Sequence, residues 1–475
     1  MKTLSIIFKS VVILLLAGWS MIVVSAQTEK KEIVTKVYEI NPSGSLQIIS
    51  SRSNIKILTW DKNEVKVVGE LTYEGIENQE DIDKILNAFK NMNVESSKDL
   101  LMINLSLIPV KIALTNKNSL FFNRDKSSSI IPNYIIPTYT IWIPETLSVI
   151  VDSKYEKLEM ASIKGNVNFT MDNSKLEMGD FGESGIFEIK YSNVSIGNGG
   201  ASKFNLFNSI VNAAELKSMT IDSKYSKFNI SKTDDVSLKS FNDTFVFGIL
   251  NEIDASANYS TVRMESHVEK SKFEFFNSKL YGKNFKTMEI SAKFSEFHIT
   301  DAGKSSFVFQ NSKLFGGNFQ SMEISSARFS EFSVADVVGE TKINLSNNSK
   351  FNFATVNTFS CQQSRFDTFK FDEIITDVSF PDANNTKVDI HGTSASFSGF
   401  SGNFTFGNVN MKINPNIEYN LYYDGTYGRI NVSSDKFKKR FVYNEYPSKT
   451  DIKGLNTDAK CNVEIVAHST TCTIE

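Results

Sequence analysis

The sequence predicts an all-β fold: a single-chain parallel β-solenoid with coils of about 17–18 residues and one flanking helix near the N-terminus. Three observations carry that prediction. The first is near-duplication. FEFFNSKLYGKNFKTMEISAKFSEFHI from Phe273 and FVFQNSKLFGGNFQSMEISSARFSEFSV from Phe307 are close copies, 34 residues apart at first and 35 by their ends. The second is a finer period inside each copy. A small polar residue in the pattern x-Ser-x-apolar-x-apolar recurs at Glu156, Ser174, Ser192, Ser209, Ser226, Asp243, Ser260, Ser278, Ser295, Ser312, Ser330, Ser349 and Ser364, mostly 17 or 18 apart. The third is alternation. Two residues after each of these anchors stands an apolar side chain: Leu158, Leu176, Val194, Val211, Phe228, Phe245, Val262, Leu280, Phe297, Leu314, Phe332, Phe351 and Phe366. The residue between is mostly polar, which is the signature of a strand with one buried face.

A unit of 17 or 18 residues cannot bury its own apolar face, but stacked coils can. Equivalent positions then form ladders along the axis, and the Leu/Val/Phe column becomes the core. A second apolar position follows at Ile196, Ile230, Met264, Ile299 and Val334. A second strand-like piece follows at Met219-Thr220-Ile221, Met288-Glu289-Ile290 and Met322-Glu323-Ile324. Each coil is thus expected to carry at least two short strands joined by tight polar turns. Thirteen coils at about 4.8 Å each predict a rod roughly 60 Å long.

The residue before the anchor alternates. Tyr155, Tyr191, Tyr225, Tyr259, Phe294 and Phe329 take odd coils, while Asn173, Asn208, Asn242, Asn277, Asn311 and Asn348 take even ones. The sequence unit is a two-coil duplex. An aromatic and amide surface for stacking glycans fits this pattern. A turn requirement fits it better, because asparagine tolerates a left-handed backbone and ladders of like residues are what stacking produces.

Four segments follow: a leader over 1–26, an N-terminal β region with a helix at 79–91 over 27–150, regular coils over 151–370, and irregular C-terminal coils over 371–475. Lys2 and Lys9, the apolar run Val11–Val24 and the small-residue pattern Val24-Ser25-Ala26 read as a cleaved export signal. No cysteine closes the apolar run, as a lipoprotein would require. Export to the periplasm, the outer-membrane surface or the exterior is expected, and no integral membrane protein after cleavage. Strand patterns recur at Leu46-Gln47-Ile48, Ile55-Lys56-Ile57, Val65-Lys66-Val67, 100–108 and 134–143. Ile82, Ile85, Leu86 and Phe89 recur at helical spacing, and that helix is expected to cap or flank the open end of the core. A polar insertion, Thr115–Asn133, holds Phe121 and Phe122. Tyr419–Tyr427 is aromatic-rich, and Lys436–Arg440 is locally basic.

Gly44-Ser45-Leu46, Ser53-Asn54-Ile55-Lys56-Ile57, Trp60-Asp61 and Glu64-Val65-Lys66-Val67 together resemble the opening of exported bacterial adhesin families, among them the auto-transporter adhesin head (head GIN) group. Tyr139-Thr140-Ile141-Trp142-Ile143-Pro144, then Leu147 and Lys154-Tyr155, resembles their Y-x-I-x-V-P … L … Y-G segment. The motifs cover the N-terminal third, and the repeat style covers most of the rest. The resemblance implies a right-handed β-helix-like fold and an envelope or extracellular location. It carries over no catalytic residue. This chain departs from the pattern in its length and in placing Ser or Asn where Gly is common.

The chemistry expected of the chain is sparse. A net charge of −3 with both signs interspersed argues against nucleic acid as a partner. His267, His298, His391 and His468 are scattered, and no phosphate loop or metal-spaced cluster is present in the sequence. His298, between Phe297 and Ile299, falls on the outward phase of its strand. Cys361, Cys461 and Cys472 do not make a zinc site; Cys461 and Cys472 either bridge or remain buried thiols. Glu289 and Glu323 occupy equivalent positions two coils apart, about 9–10 Å, near the upper limit for an inverting glycosidase pair. Any repeated glutamate would give that spacing. No catalytic, cofactor-binding or metal-ligating residue is assigned, no cofactor is expected, and the binding residues are left open. The expectation is a non-enzymatic, adhesin-like binding or structural module at the cell envelope, with a glycan or surface protein as partner. A carbohydrate-active β-helix enzyme, lyase or hydrolase, is the alternative, and a spacer without a specific ligand is the third reading.

Overall fold

The structure is a computed structural model, and it describes residues 30–73, 79–107, 135–432, 444–446, 449–454 and 459–475. The leader 1–26, the insertion Thr115–Asn133 and the basic cluster Lys436–Arg440 lie outside the described residues. The chain is a parallel β-solenoid of about 15 turns, 75% strand and 3% helix. The predicted ladders are in register: Leu158 pairs with Leu176, Leu176 with Val194, Val194 with Val211 and Val211 with Phe228. These side chains and their successors through Phe351 are buried. In the later coils the core is a stack of phenyl rings, with Phe332–Phe351 at 5.1 Å and Phe351–Phe369 at 4.7 Å.

Two expectations are corrected. The thirteenth anchor is Asp367, not Ser364, and the thirteenth core residue is Phe369, not Phe366. Asp367 keeps the 18-residue step from Ser349, and Phe366 is 57% exposed while Phe369 is fully buried. The second correction concerns the strands. From Ile210 to Asn384 each coil is one continuous strand, such as Lys227–Phe241 or Thr244–Asn258, broken only at a single corner. The two separate short strands hold in the first coils, such as Ser148–Lys154 and Lys157–Met160, and again in the C-terminal ones, such as Lys387–Ile390 and Gly399–Thr405. In the C-terminal region the corner geometry continues past 370 at Asn385, Phe406, Tyr427 and Ser469, with longer spacing.

Both ends break the chain order. The N-terminal elements are β1 (Lys30–Glu39), β2 (Ser45–Ser51), β3 (Asn54–Trp60), β4 (Glu64–Tyr73), α1 (Gln79–Lys90), β5 (Asn93–Ser96), β6 (Leu100–Asn104) and β7 (Ile136–Pro144). The β2–β3 coil is first in sequence but second in space. It lies between β6 and β7 on one side and Ser148–Lys154 and Lys157–Met160 on the other. Antiparallel β5 then covers β6, and antiparallel β4 and β1 extend β7. Helix α1 buries Ile82, Ile85 and Phe89 as its spacing predicts. Phe89 packs against Tyr139 at 6.0 Å, over the space left by the missing side chain of Gly69. It thereby joins the N-terminal end of the core.

At the other end, Cys461–His468 and Thr471–Ile474 insert between two earlier coils. They pair with Gly399–Thr405 and Asn408–Met411 on one side and with Tyr419–Thr426 and Arg429–Val432 on the other. Antiparallel Lys449–Gly454 and then Asn444–Tyr446 close that edge. Cys461 and Cys472 are free, buried thiols.

Candidate functional site

The repeated corner is the feature from which the most prominent surface grows. Every residue immediately before an anchor has a left-handed backbone, from φ 47 at Asn208 to φ 59 at Tyr155. This sends the corner side chain outward and turns the next N–H along the axis. That N–H donates to the anchor side chain of the following coil. Glu156 N donates to Ser174 Oγ (3.1 Å), Ser174 N to Ser192 Oγ (2.9 Å), and so on through Ser349 N to Asp367 Oδ1 (2.7 Å). Each serine hydroxyl in turn donates to the carbonyl two residues before it, as Ser192 Oγ does to Lys190 O at 2.6 Å. The anchors are buried, so this polar column is an internal spine rather than a binding surface.

Three anchors are carboxylic acids. Glu156 accepts from Ser50 Oγ (2.6 Å) and Ser53 Oγ (2.9 Å), and burial pushes its pKa up to about 7. Asp243 accepts from Ser226 N, Ser223 Oγ, Ser240 Oγ and Phe241 N, and burial raises it despite these donors. Asp367 is raised by burial in the same way.

Outside the spine, two columns run side by side along the edge: the corner residues and those just before them. Odd coils place an aromatic at the corner, and three even coils place one just before the corner asparagine, at Phe207, Phe241 and Phe276. The two sets interleave into one line. Tyr191–Phe207, Phe207–Tyr225, Tyr225–Phe241, Phe241–Tyr259, Tyr259–Phe276 and Phe276–Phe294 meet edge to face, at 5.3 to 5.8 Å. Tyr191 is 50% exposed and Phe294 51%. Seven rings over six coil steps make a stripe about 29 Å long. Beside it runs a groove of about 480 Å³, lined by Asp222, Lys224, Tyr225, Lys239, Phe241 and Asn258 among others.

The edge is also charged. The column just before the corner runs Lys154, Asp172, Lys190, Phe207, Lys224, Phe241, Asn258, Phe276, Lys293, Gln310, Arg328, Asn347, Arg365 in register. Within one strand position on either side of the corners, from Tyr155 to Phe366, the outward-facing acids are Asp172, Glu296 and Glu331. Each is paired, with Lys154 (3.5 Å), Lys279 (3.3 Å) and Lys313 (3.2 Å) respectively. Lys190, Lys224, Lys227, Lys293, Arg328, Lys350 and Arg365 have no ion pair among the described residues. The next outward column is mixed, with Glu188, Asp222, Lys239 and Glu274.

A second cluster lies on the neighbouring face. The Arg263 guanidinium sits 5.0 Å over Tyr281, Tyr281 stacks on His298 at 4.9 Å, and His298 stacks on Phe315 at 5.0 Å. His298 faces outward as its strand phase requires, and its ring bonds Glu296 at 2.5 Å. His298 and Lys279 hold the Glu296 carboxyl below its usual range. Glu289 and Glu323 sit two coils apart with Ser306 between them, each exposed and each facing a lysine, Lys272 and Lys342. Among the described residues, strand pairing sets no further titratable group directly opposite them. His267 and His391 bond acids on separate coils, Glu269 and Asp372. Among the described residues no group of three or more His, Cys, Asp or Glu is placed to hold a metal ion. No helix among them is long and apolar enough to cross a membrane.

Reading only the corner position missed Phe207, Phe241 and Phe276, and the cations that share their column. The signal was present as Phe-Asn in even coils and Lys-Tyr, Lys-Phe or Arg-Phe in odd ones. No protein-family model matches the chain, and no curated protein matches it. Among solved structures, one similar chain is a "putative cell adhesion protein" from Clostridium sporogenes, at 9% identity over 94% of this chain and 99% of that one. Its TM-score is 0.16, too low to carry an argument about fold or function.

Proposed function

We propose that this protein is an exported, non-enzymatic, adhesin-like binding rod whose docking surface is the aromatic and cationic corner edge. The carrying observation is the unbroken stripe from Tyr191 to Phe294, about half-exposed at its Tyr and Phe corners. Bulky residues disfavour the left-handed backbone, which the alternating asparagines accept more readily. The fold requires a left-handed residue at each corner, but it does not require tyrosine. Large amphipathic rings held on a rigid frame lose little entropy on binding, which makes them effective contact residues. The resemblance of residues 44–67 and 139–155 to exported adhesin families supports the same reading.

The test is binding of the mature chain, residues 27–475, to an array of glycans and matrix proteins, with hydrolysis and lyase products assayed in the same wells. Saturable binding without turnover is expected. Replacing Tyr225 and Tyr259 together by Asn should weaken binding about tenfold or more by removing two aromatic contacts. Turnover of any bound glycan would replace this reading with the enzymatic one and direct attention to Glu289 and Glu323.

A further inference from the structure

Period and charge along the corner edge narrow the ligand class. Like residues recur every second coil, about 9.6 Å apart along the axis. Tyr191, Tyr225, Tyr259 and Phe294 follow that period at the corner. Lys190, Lys224 and Lys293 follow it one position earlier, with Asn258 standing in the series between Lys224 and Lys293. Arg328 and Arg365 continue the cations beyond the end of the stripe. Corner asparagines 208, 242 and 277 fall between the aromatics and offer amide donors and acceptors. Every outward-facing acid within one strand position of the corners is already paired with a lysine, so the free charge of the edge is positive.

An extended pyranose chain with alternating linkage chemistry repeats every second sugar, on a similar length scale. Its C–H faces stack on aromatic rings, its hydroxyls bond amides, and a uronate carboxylate answers a lysine. We propose that the corner edge binds a linear acidic polysaccharide with one carboxylate per disaccharide, laid along the solenoid axis. This rests on the edge being the docking surface, and it goes further by fixing the ligand's charge and repeat. A neutral glycan would leave the row of cations unanswered. A single-stranded nucleic acid also joins stacking to charge, but it carries an anion on every unit, and in the column before the corners the free lysines come only on alternate coils.

The experiment measures affinity of the mature chain for four probes at low and high salt. They are hyaluronan oligosaccharides, with one carboxylate per disaccharide; chitin oligosaccharides, with none; oligogalacturonate, with one on every sugar; and oligo-dT. Two triple variants borrow residues the same columns already contain: Lys190→Asn/Lys224→Asn/Lys293→Asn and Tyr191→Asn/Tyr225→Asn/Tyr259→Asn. Lys342→Asn, farther from the corner and beyond the end of the stripe, is the control, and thermal melts establish that each variant is folded.

Hyaluronan is expected to bind best and to weaken with salt. Each triple variant should lose about tenfold or more, and Lys342→Asn should lose nothing. Equal, salt-insensitive binding of chitin oligosaccharides that the tyrosine variant abolishes would overturn the acidic ligand and leave the docking edge standing. Tighter binding of oligogalacturonate would overturn the one-per-disaccharide repeat, and tighter binding of oligo-dT would overturn the glycan. Hyaluronan binding untouched by either triple variant would overturn the edge itself. Failure of all four probes would overturn the ligand class; array binding by another ligand that the tyrosine variant weakens would then still leave the edge.

Discussion

Glu156 occupies an anchor position that most coils fill with serine, and it holds the β2–β3 coil to the body through Ser50 and Ser53. Burial raises its pKa from 4.5 to about 7. Between those values the folded chain binds a proton that the unfolded chain does not, so stability falls as pH rises through that window. The full cost of ionising the buried acid applies above pH 7, and none applies below about pH 4.5. Glu156→Gln keeps the shape and removes the charge. It should stabilise the protein at pH 8 by up to about 3 kcal/mol and change little at pH 4.5. Urea unfolding at both values checks this; equal effects at the two would show that Glu156 is not the buried acid responsible. Asp243 makes a separate case, because four donors converge on it. Asp243→Ala strands Ser226 N and Phe241 N and should cost about 2–4 kcal/mol. Asp243→Ser restores the axial bond and should cost clearly less in the same denaturant titration.

A single coil combines a left-handed corner, a buried anchor and an apolar column, and these can be altered separately. Tyr259 has φ 54 and touches Phe241 and Phe276 edge to face. Tyr259→Asn relieves backbone strain and loses two ring contacts worth about 0.5–1.5 kcal/mol each. The net change in stability should stay within about 1 kcal/mol, while ligand affinity falls. A large loss of melting temperature would mean that the stripe is structural glue rather than a docking surface. The coil period, the apolar column and the corner alternation were legible in the sequence because stacking forces chemically similar residues into register. Phe366 was misread because a serine two residues before it mimicked the anchor. The true anchor there is an aspartate accepting the bond that serine accepts elsewhere. The aromatic stripe was half legible, since its even-coil members stand one position before the corner.

The two ends of the molecule solve the same problem, an exposed parallel edge that would recruit another chain. Antiparallel strands cover each end, and a coil out of sequence order lies just inside. The inserted C-terminal coil has a checkable consequence. Cys461 and Cys472 are buried, with burial raising their pKa values to about 11 and 12. Both should resist alkylation in the native state at pH 8 and react once this coil opens. Fast labelling of the native chain would contradict the insertion. A chain lacking Cys461–Ile474 leaves two coil edges unpaired and should form oligomers on size-exclusion chromatography, while a monomer with an unchanged melt would argue against this account. By itself, the sequence determined the solenoid, its coil length, its core column and the residues at its corners, because each is a local repeat that stacking must satisfy. Only the tertiary structure decided the order of the terminal coils, the depth at which Glu156 is buried and the joining of two columns into one aromatic stripe. Each of these depends on which distant segments lie one coil apart, and no periodicity along the chain encodes that neighbourhood.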